Sequence, residues 1–141
     1  MPINPERFFH QIGDRQLYVG SADAAREHYE LDWKPDHVLT LSFTEHPFTT
    51  HHEPIPDSAQ LTVEQFGDAV TTAEAIHAGS GTLLIQCGAG SSRSAAVTAA
   101  LLSVTEGKSL AEAVEEVAKH RPEVNIHPAV LSVAHEYVTS R

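Results

Sequence analysis

The chain is poor in cysteine and in long apolar runs, and each shortage excludes a class of protein. Its only cysteine, Cys87, cannot form an internal disulfide, so the chain is not a secreted disulfide scaffold. No apolar run approaches the roughly 20 residues that a membrane span needs. The first residues, Met1 to Arg7, lack the apolar region of a signal peptide. We therefore expect a cytoplasmic protein, where a free thiol survives.

Positive charge is also scarce. Nine lysines and arginines stand against 19 aspartates and glutamates, which gives a net charge of −10 with the histidines neutral. A surface this acidic repels the phosphate backbone of nucleic acids and anionic lipid. We therefore expect no nucleic-acid partner and no membrane partner.

Length and composition favour one folded domain spanning residues 1–141. The chain is 41% hydrophobic and 20% charged, which excludes a disordered protein. Capping-box spacing at Thr62 and Ser109 marks two helix starts, and Pro128 marks a third. The pattern predicts strands and helices in alternation: strands at Gln16–Val19, Asp36–Phe43 and Thr82–Gln86, and helices at about Ser21–Tyr29, Thr62–Ala78, Ser94–Glu106, Ser109–Arg121 and Pro128–Tyr137. Strands mixed with longer helices indicate an α/β or α+β domain with a covered sheet.

One segment carries a pattern that indicates chemistry. Cys87 ends a predicted strand and is followed by five small residues, then by Arg93 and Ser94, and the five are Gly88, Ala89, Gly90, Ser91 and Ser92. A loop of such small residues can turn its backbone N–H groups inward to hold an anion, and the helix that follows points its positive end at the same place. Arg93 would add a planar, two-pronged hydrogen-bond donor for phosphate.

The same donors would stabilise Cys87 as a thiolate. A thiolate beside a bound phosphate favours phosphoryl transfer through a phosphocysteine. The simpler alternative is a buried structural cysteine followed by a strand-to-helix turn, because free cysteines often pack as small hydrophobic residues.

The chain resembles the dual-specificity protein phosphatases of the cysteine-dependent tyrosine phosphatase superfamily. Their signature, His-Cys-x-x-Gly-x-x-Arg-Ser/Thr, is similar to the run from Gln86 to Ser94. Further similarity lies in segments up and down the chain: Leu17–Ser21, Val38–Ser42, Pro54–Asp57 and Arg121–Asn125. The resemblance covers about Gln16 to Tyr137, and it implies a central mixed sheet flanked by helices.

The resemblance also implies a role for each matched residue. Cys87 is the nucleophile, Arg93 binds the phosphate, and the backbone from Gly88 to Arg93 forms the cradle. Ser94 hydrogen-bonds the leaving sulfur, and Asp57 is the general acid. No metal or other cofactor is implied, and the expected substrates are phosphorylated proteins, acted on by a monomeric enzyme.

The general acid can also be sought from the residues alone. A leaving oxygen needs a proton, which a carboxylic acid on a mobile loop can donate. Between Val38 and Cys87, the carboxylates outside the predicted helix are Glu45, Glu53 and Asp57. Pro54 and Pro56 stiffen the approach to Asp57, which favours it over the two glutamates.

The chain departs from the family pattern at two positions. Gln86 stands where the family usually has a histidine that supports the loop, and glutamine can carry no positive charge. His127 stands where the family has an asparagine that braces the loop. We expect both residues to support the phosphate loop.

Histidines and a carboxylate crowd the segment that contains Asp57: His46, His51, His52 and Glu53. Such residues can ligate zinc, but their spacing fits no metal motif, so we favour a solvated loop. The function predicted is hydrolysis of phosphotyrosine in proteins, with phosphoserine and phosphothreonine as further substrates. The alternative is a catalytically weak module that binds phosphorylated partners.

Overall fold

The computed structural model describes residues 9–21, 35–46 and 48–141. Five strands in this part of the chain form one mixed sheet, and they are β1 (Phe9–Gln11), β2 (Leu17–Ser21), β3 (His37–Thr40), β4 (His51–His52) and β5 (Leu83–Cys87). Their order is β1-β2-β5-β3-β4. β1 is antiparallel to β2, and the other neighbouring pairs are parallel. The fold is therefore α/β, with the mixed sheet that the resemblance implies.

The central strand β5 determines where a site can form. In the parallel register Cys87 pairs with Ser21 of β2, and Gln86 pairs with Thr40 of β3. The carboxyl ends of three parallel strands thus meet at one edge of the sheet. In open α/β sheets this edge is where ligands bind.

Four helices are described: α1 (Val63–Ala78), α2 (Arg93–Glu106), α3 (Leu110–His120) and α4 (Pro128–Ser140). The predicted capping boxes are confirmed. The side chains of Thr62 and Ser109 each accept a hydrogen bond from the backbone N–H of the third helical residue, and their own backbone N–H groups donate to the side chain of that residue. Pro128 is the first residue of α4, where its missing N–H costs nothing.

Helix α2 is buried almost all round, as its continuous apolar composition predicts. Every residue from Ser94 to Ser103 is buried, and α2 packs against α1, α3 and α4. Its alanines allow close approach to the sheet face that carries Leu83, Ile85 and Cys87. The start of α2 is thereby held rigidly beside the end of β5.

The differences from the predicted elements are small. β3 is shorter than the predicted Asp36–Phe43 strand, and α4 runs past Tyr137 to Ser140. The short strands β1 and β4 were not predicted, because two or three residues carry no readable alternation. A helix was predicted over Ser21–Tyr29. Ser21 is instead the last residue of β2, and the other residues of that range lie outside the described residues. No helix in the described ranges is long and apolar enough to cross a membrane.

Candidate active site

Cys87 lies at the carboxyl end of β5, with its side chain turned toward the start of α2. It is only 2% exposed. Its thiol donates to the Ser94 hydroxyl at 3.2 Å, and the Ser94 backbone N–H donates to the sulfur at 3.4 Å. Ser94 is itself fully buried. The sulfur therefore lies at the positive end of a helix dipole, with a hydroxyl that can donate to it when it is a thiolate.

Residues outside the loop between Cys87 and Arg93 hold it in place by donating hydrogen bonds to its carbonyl groups. The carbonyl of Gly88 accepts from the Ser21 hydroxyl at 2.9 Å, and that of Gly90 accepts from Arg121 Nε at 2.6 Å. The carbonyl of Ser91 accepts from the Asn125 N–H at 2.8 Å. In a trans peptide the N–H points opposite to its C=O. Outward carbonyls therefore leave the successive N–H groups to face the inside of the loop.

Arg121 is a site residue that the sequence reasoning missed. It is 3% exposed and bonds two loop carbonyls, at 2.6 Å for Gly90 and 3.5 Å for Ala89. A third nitrogen, Nη1, lies 2.7 Å from His10 Nδ1 in β1. Burial lowers the pKa of Arg121 from its ordinary value, and the charges of Glu123 and Cys87 oppose that shift. The arginine remains cationic, so it adds positive charge behind the loop.

Gly90 is required where the loop turns. Its φ of +71° lies in the left-handed region that favours glycine. A Cβ at this position would lie 2.6 Å from Arg121 Nη2 and 2.6 Å from the carbonyl carbon and oxygen of Gly20. Glycine is thus needed at position 90 for two reasons, the left-handed backbone conformation and the close contact with β2.

Arg93 is the first residue of α2, and its guanidinium reaches the segments that follow β3 and β4. Its Nη1 donates to the carbonyl of Ile55 at 3.0 Å and makes a longer contact, 3.4 Å, with that of Leu41. Its Nε–H is buried and has no hydrogen-bond partner among the residues that the structure describes. A buried donor without an acceptor costs about 1–3 kcal/mol. This unpaired donor is available to an acceptor from outside the described residues.

Asp57 is joined directly to the phosphate loop. Its Oδ1 accepts from the Ser92 hydroxyl at 2.6 Å. Because Ser92 immediately precedes Arg93, this bond holds an exposed loop carboxylate beside the opening of the loop.

The two other carboxylates on this segment are engaged elsewhere. Glu53 accepts from Thr72 of α1 at 3.0 Å. Glu45 lies 4.0 Å from His52. Of the three candidates for the general acid, Asp57 is therefore the one with a described contact to the phosphate loop.

Gln86 points to the opposite side of the sheet from Cys87, because adjacent residues of a strand alternate. Its side-chain amide donates to the Thr40 hydroxyl at 3.0 Å, and Thr40 in turn contacts Thr49 at 2.8 Å. The Thr49 hydroxyl also accepts from the His46 N–H at 3.0 Å. The described side-chain bond of Gln86 thus joins β5 to β3 on the other face from the thiol, and Thr40 extends that link to the segment after β3.

The described contact of His127 with the loop between Cys87 and Arg93 is made by its backbone. Its N–H donates to the Ser92 hydroxyl at 2.9 Å, while Nδ1 of the ring accepts from Ala129 N–H and caps α4. The neighbouring Asn125 also holds the loop through its backbone. The segment before α4 therefore braces the loop without a side-chain amide at position 127.

In the described part of the chain, no group of three histidine, cysteine or carboxylate side chains gathers closely enough to hold a metal ion. His52 Nε2 lies 2.7 Å from the carbonyl of Ser42. The ring of His51 packs edge-on against that of His37.

The fold has clear counterparts among solved structures. The chain is similar to human DUSP28, with 26% identity, a TM-score of 0.77, and coverage of 99% of this chain and 97% of that one. It is similar to a mouse putative dual specificity phosphatase complexed with zinc tungstate, with 22% identity, a TM-score of 0.79, and coverage of 99% and 91%. A third similar structure is Tk-PTP in the active form, with 26% identity, a TM-score of 0.74, and coverage of 94% and 97%.

The likeness is one of structure at low sequence identity. No protein-family model matches the chain, and no curated protein matches it in sequence.

Proposed function

We propose that this chain, which has the fold of the small dual-specificity phosphatases, hydrolyses phosphomonoesters through a phosphocysteine intermediate. The proposed substrates are proteins that carry phosphotyrosine, with phosphoserine and phosphothreonine as further substrates. The observation that carries the proposal is the phosphate loop, whose carbonyls are held outward by Ser21, Arg121 and Asn125 around the thiol of Cys87.

In the first step the Cys87 thiolate attacks phosphorus, and the bond from phosphorus to the ester oxygen breaks. Asp57 gives its proton to that oxygen, so the leaving group departs neutral. The inward N–H groups and Arg93 stabilise the charge on the three remaining oxygens. Because these donors already neutralise the transferring group, the proposal includes no metal.

In the second step water attacks the phosphocysteine and the sulfur–phosphorus bond breaks. Asp57, now a carboxylate, takes the proton of the attacking water. The electron pair of the broken bond returns to sulfur, where the Ser94 hydroxyl can donate to it. The products are inorganic phosphate and the original thiolate.

Two features support an aromatic phosphoester over a phosphorylated lipid or nucleic acid. Phe43 is 68% exposed. It lies two residues after Leu41, whose carbonyl contacts Arg93. An exposed aromatic ring two residues from a backbone contact of Arg93 can pack against a phenyl group. The loop itself, Gly88 to Ser92, contains no lysine to bind additional phosphates.

The test is hydrolysis of p-nitrophenyl phosphate and of a phosphotyrosine peptide by the wild type and by Cys87→Ser. We expect turnover by the wild type, none by Cys87→Ser, and inhibition by tungstate, a tetrahedral oxyanion; the similar mouse structure is that of a complex with zinc tungstate. Thermal unfolding of both proteins controls for folding. Tungstate binding without turnover by the wild type would favour the phosphate-binding module, and turnover that survives in Cys87→Ser would contradict the proposal.

A further inference from the structure

The Ser92 hydroxyl makes two contacts that fix the direction of its proton. It lies 2.9 Å from the backbone N of His127 and 2.6 Å from Oδ1 of Asp57. A backbone N–H can only donate, so Ser92 must accept from His127. The single proton of the hydroxyl is then available for Asp57.

This arrangement makes the two oxygens of Asp57 unequal. Oδ1 accepts from Ser92 in both protonation states of the carboxyl. The proton of the acid form is therefore favoured on Oδ2, the oxygen that this bond does not engage. An acid catalyst needs its proton on the atom that reaches the leaving oxygen, and a carboxyl without this bond divides its proton between two atoms and several rotamers.

We infer that Ser92 is a positioning residue for the general acid: its hydroxyl, itself oriented by the His127 N–H, holds Asp57 over the phosphate loop with Oδ2 as the proton-donating atom. The inference rests on the proposed function, because it concerns the transfer of a proton from Asp57 Oδ2 to the departing ester oxygen. It adds a side-chain role to a residue whose backbone already forms part of the cradle.

The inference predicts a loss that depends on the leaving group. Ser92→Ala removes the bond to Asp57, and a hydrogen bond to a charged group corresponds to about a tenfold to hundredfold effect on rate. We expect kcat/KM for phenyl phosphate to fall by that factor. For p-nitrophenyl phosphate, whose leaving group is already a stable anion, the fall should be clearly smaller. Ser92→Ala also removes the acceptor of the His127 N–H, so any weakening of the loop should lower kcat/KM for both esters by the same factor, which tungstate affinity measures separately.

Two further variants separate positioning from general weakening of the loop. Ser58→Ala removes a neighbouring hydroxyl that accepts only from the Gln60 N–H among its described contacts, at 3.2 Å, and it should show no leaving-group dependence. In an Asp57→Asn background, Ser92→Ala should add no further loss on phenyl phosphate, because the group through which it acts is already gone.

Equal losses on both esters, or a full additional loss in the Asp57→Asn background, would overturn the inference and leave the proposed function standing. Absence of any Cys87-dependent turnover in the wild type would overturn the proposed function, and this inference with it.

Discussion

Replacing Gly90 by alanine tests whether the phosphate loop is packed as closely as its contacts indicate. The new Cβ would lie 2.6 Å from Arg121 Nη2 and 2.6 Å from the carbonyl group of Gly20. The arginine can shift, but the Gly20 carbonyl belongs to the backbone of β2 and is held in the sheet. The loop must therefore move away from β2, which disturbs the carbonyl contacts that orient its N–H groups.

Two costs add in this variant. A non-glycine residue in the left-handed region costs about 1–2 kcal/mol. Overpacking against a rigid neighbour costs about 1–3 kcal/mol. Gly107→Ala is the matched control, because its φ of +70° imposes the same conformational cost while its Cβ would meet no atom within 4 Å. Gly90→Ala should thus lower the free energy of unfolding by about 1–3 kcal/mol more than Gly107→Ala.

The assay is urea unfolding of the two variants and the wild type, read as shifts of the midpoint at constant slope. Tungstate affinity should fall in Gly90→Ala and stay unchanged in Gly107→Ala. Equal destabilisation by the two substitutions, with tungstate affinity kept in both, would refute the packing of the loop against β2.

Three more predictions follow from single contacts. Arg93→Lys should lower kcat/KM by at least about tenfold, because an ammonium group cannot replace a planar guanidinium; a rate near wild type would contradict this. Arg121→Met removes the donors to the loop carbonyls and should weaken tungstate inhibition by about tenfold; unchanged inhibition would show that the loop holds its shape without them. Glu106 accepts two bonds from Arg15, at 2.7 and 2.9 Å, and this hydrogen bonding holds the Glu106 pKa below its ordinary 4.5. Its stabilisation is present above that value and is lost as pH falls through the lowered pKa, so Glu106→Gln should cost about 0.5–1 kcal/mol of unfolding free energy near neutrality and almost nothing in strong acid. The exposed Glu115→Gln is the control, and a difference that persists unchanged in acid would contradict the assignment.

The helices and the central strand could be predicted because their signals are local. The capping boxes at Thr62 and Ser109 lie within one turn of the helices they start. The apolar run before Cys87 predicts a buried strand, and the small residues after it predict a loop without bulky side chains.

The contacts that shape the site were not predictable in the same way, because they join distant segments. Arg121 reaches Gly90 from 31 residues away, and Asp57 reaches Ser92 across 35. The only local signal for Arg121 was the Arg-Pro pair at the end of a predicted helix, which resembles a turn of the phosphatase family. His127 was expected to support the loop, but the sequence could not indicate that its backbone makes the contact while its ring caps α4.

The most direct test of the proposed mechanism is to trap the phosphocysteine. Ser94→Ala removes the hydroxyl 3.2 Å from the sulfur and should slow the second step more than the first. After rapid mixing with p-nitrophenyl phosphate and acid quenching, mass spectrometry of the digested protein should find one phosphoryl group on the peptide that contains Cys87. Steady turnover by this variant with no phosphoryl group on Cys87, or with the group on another side chain, would contradict the proposed mechanism.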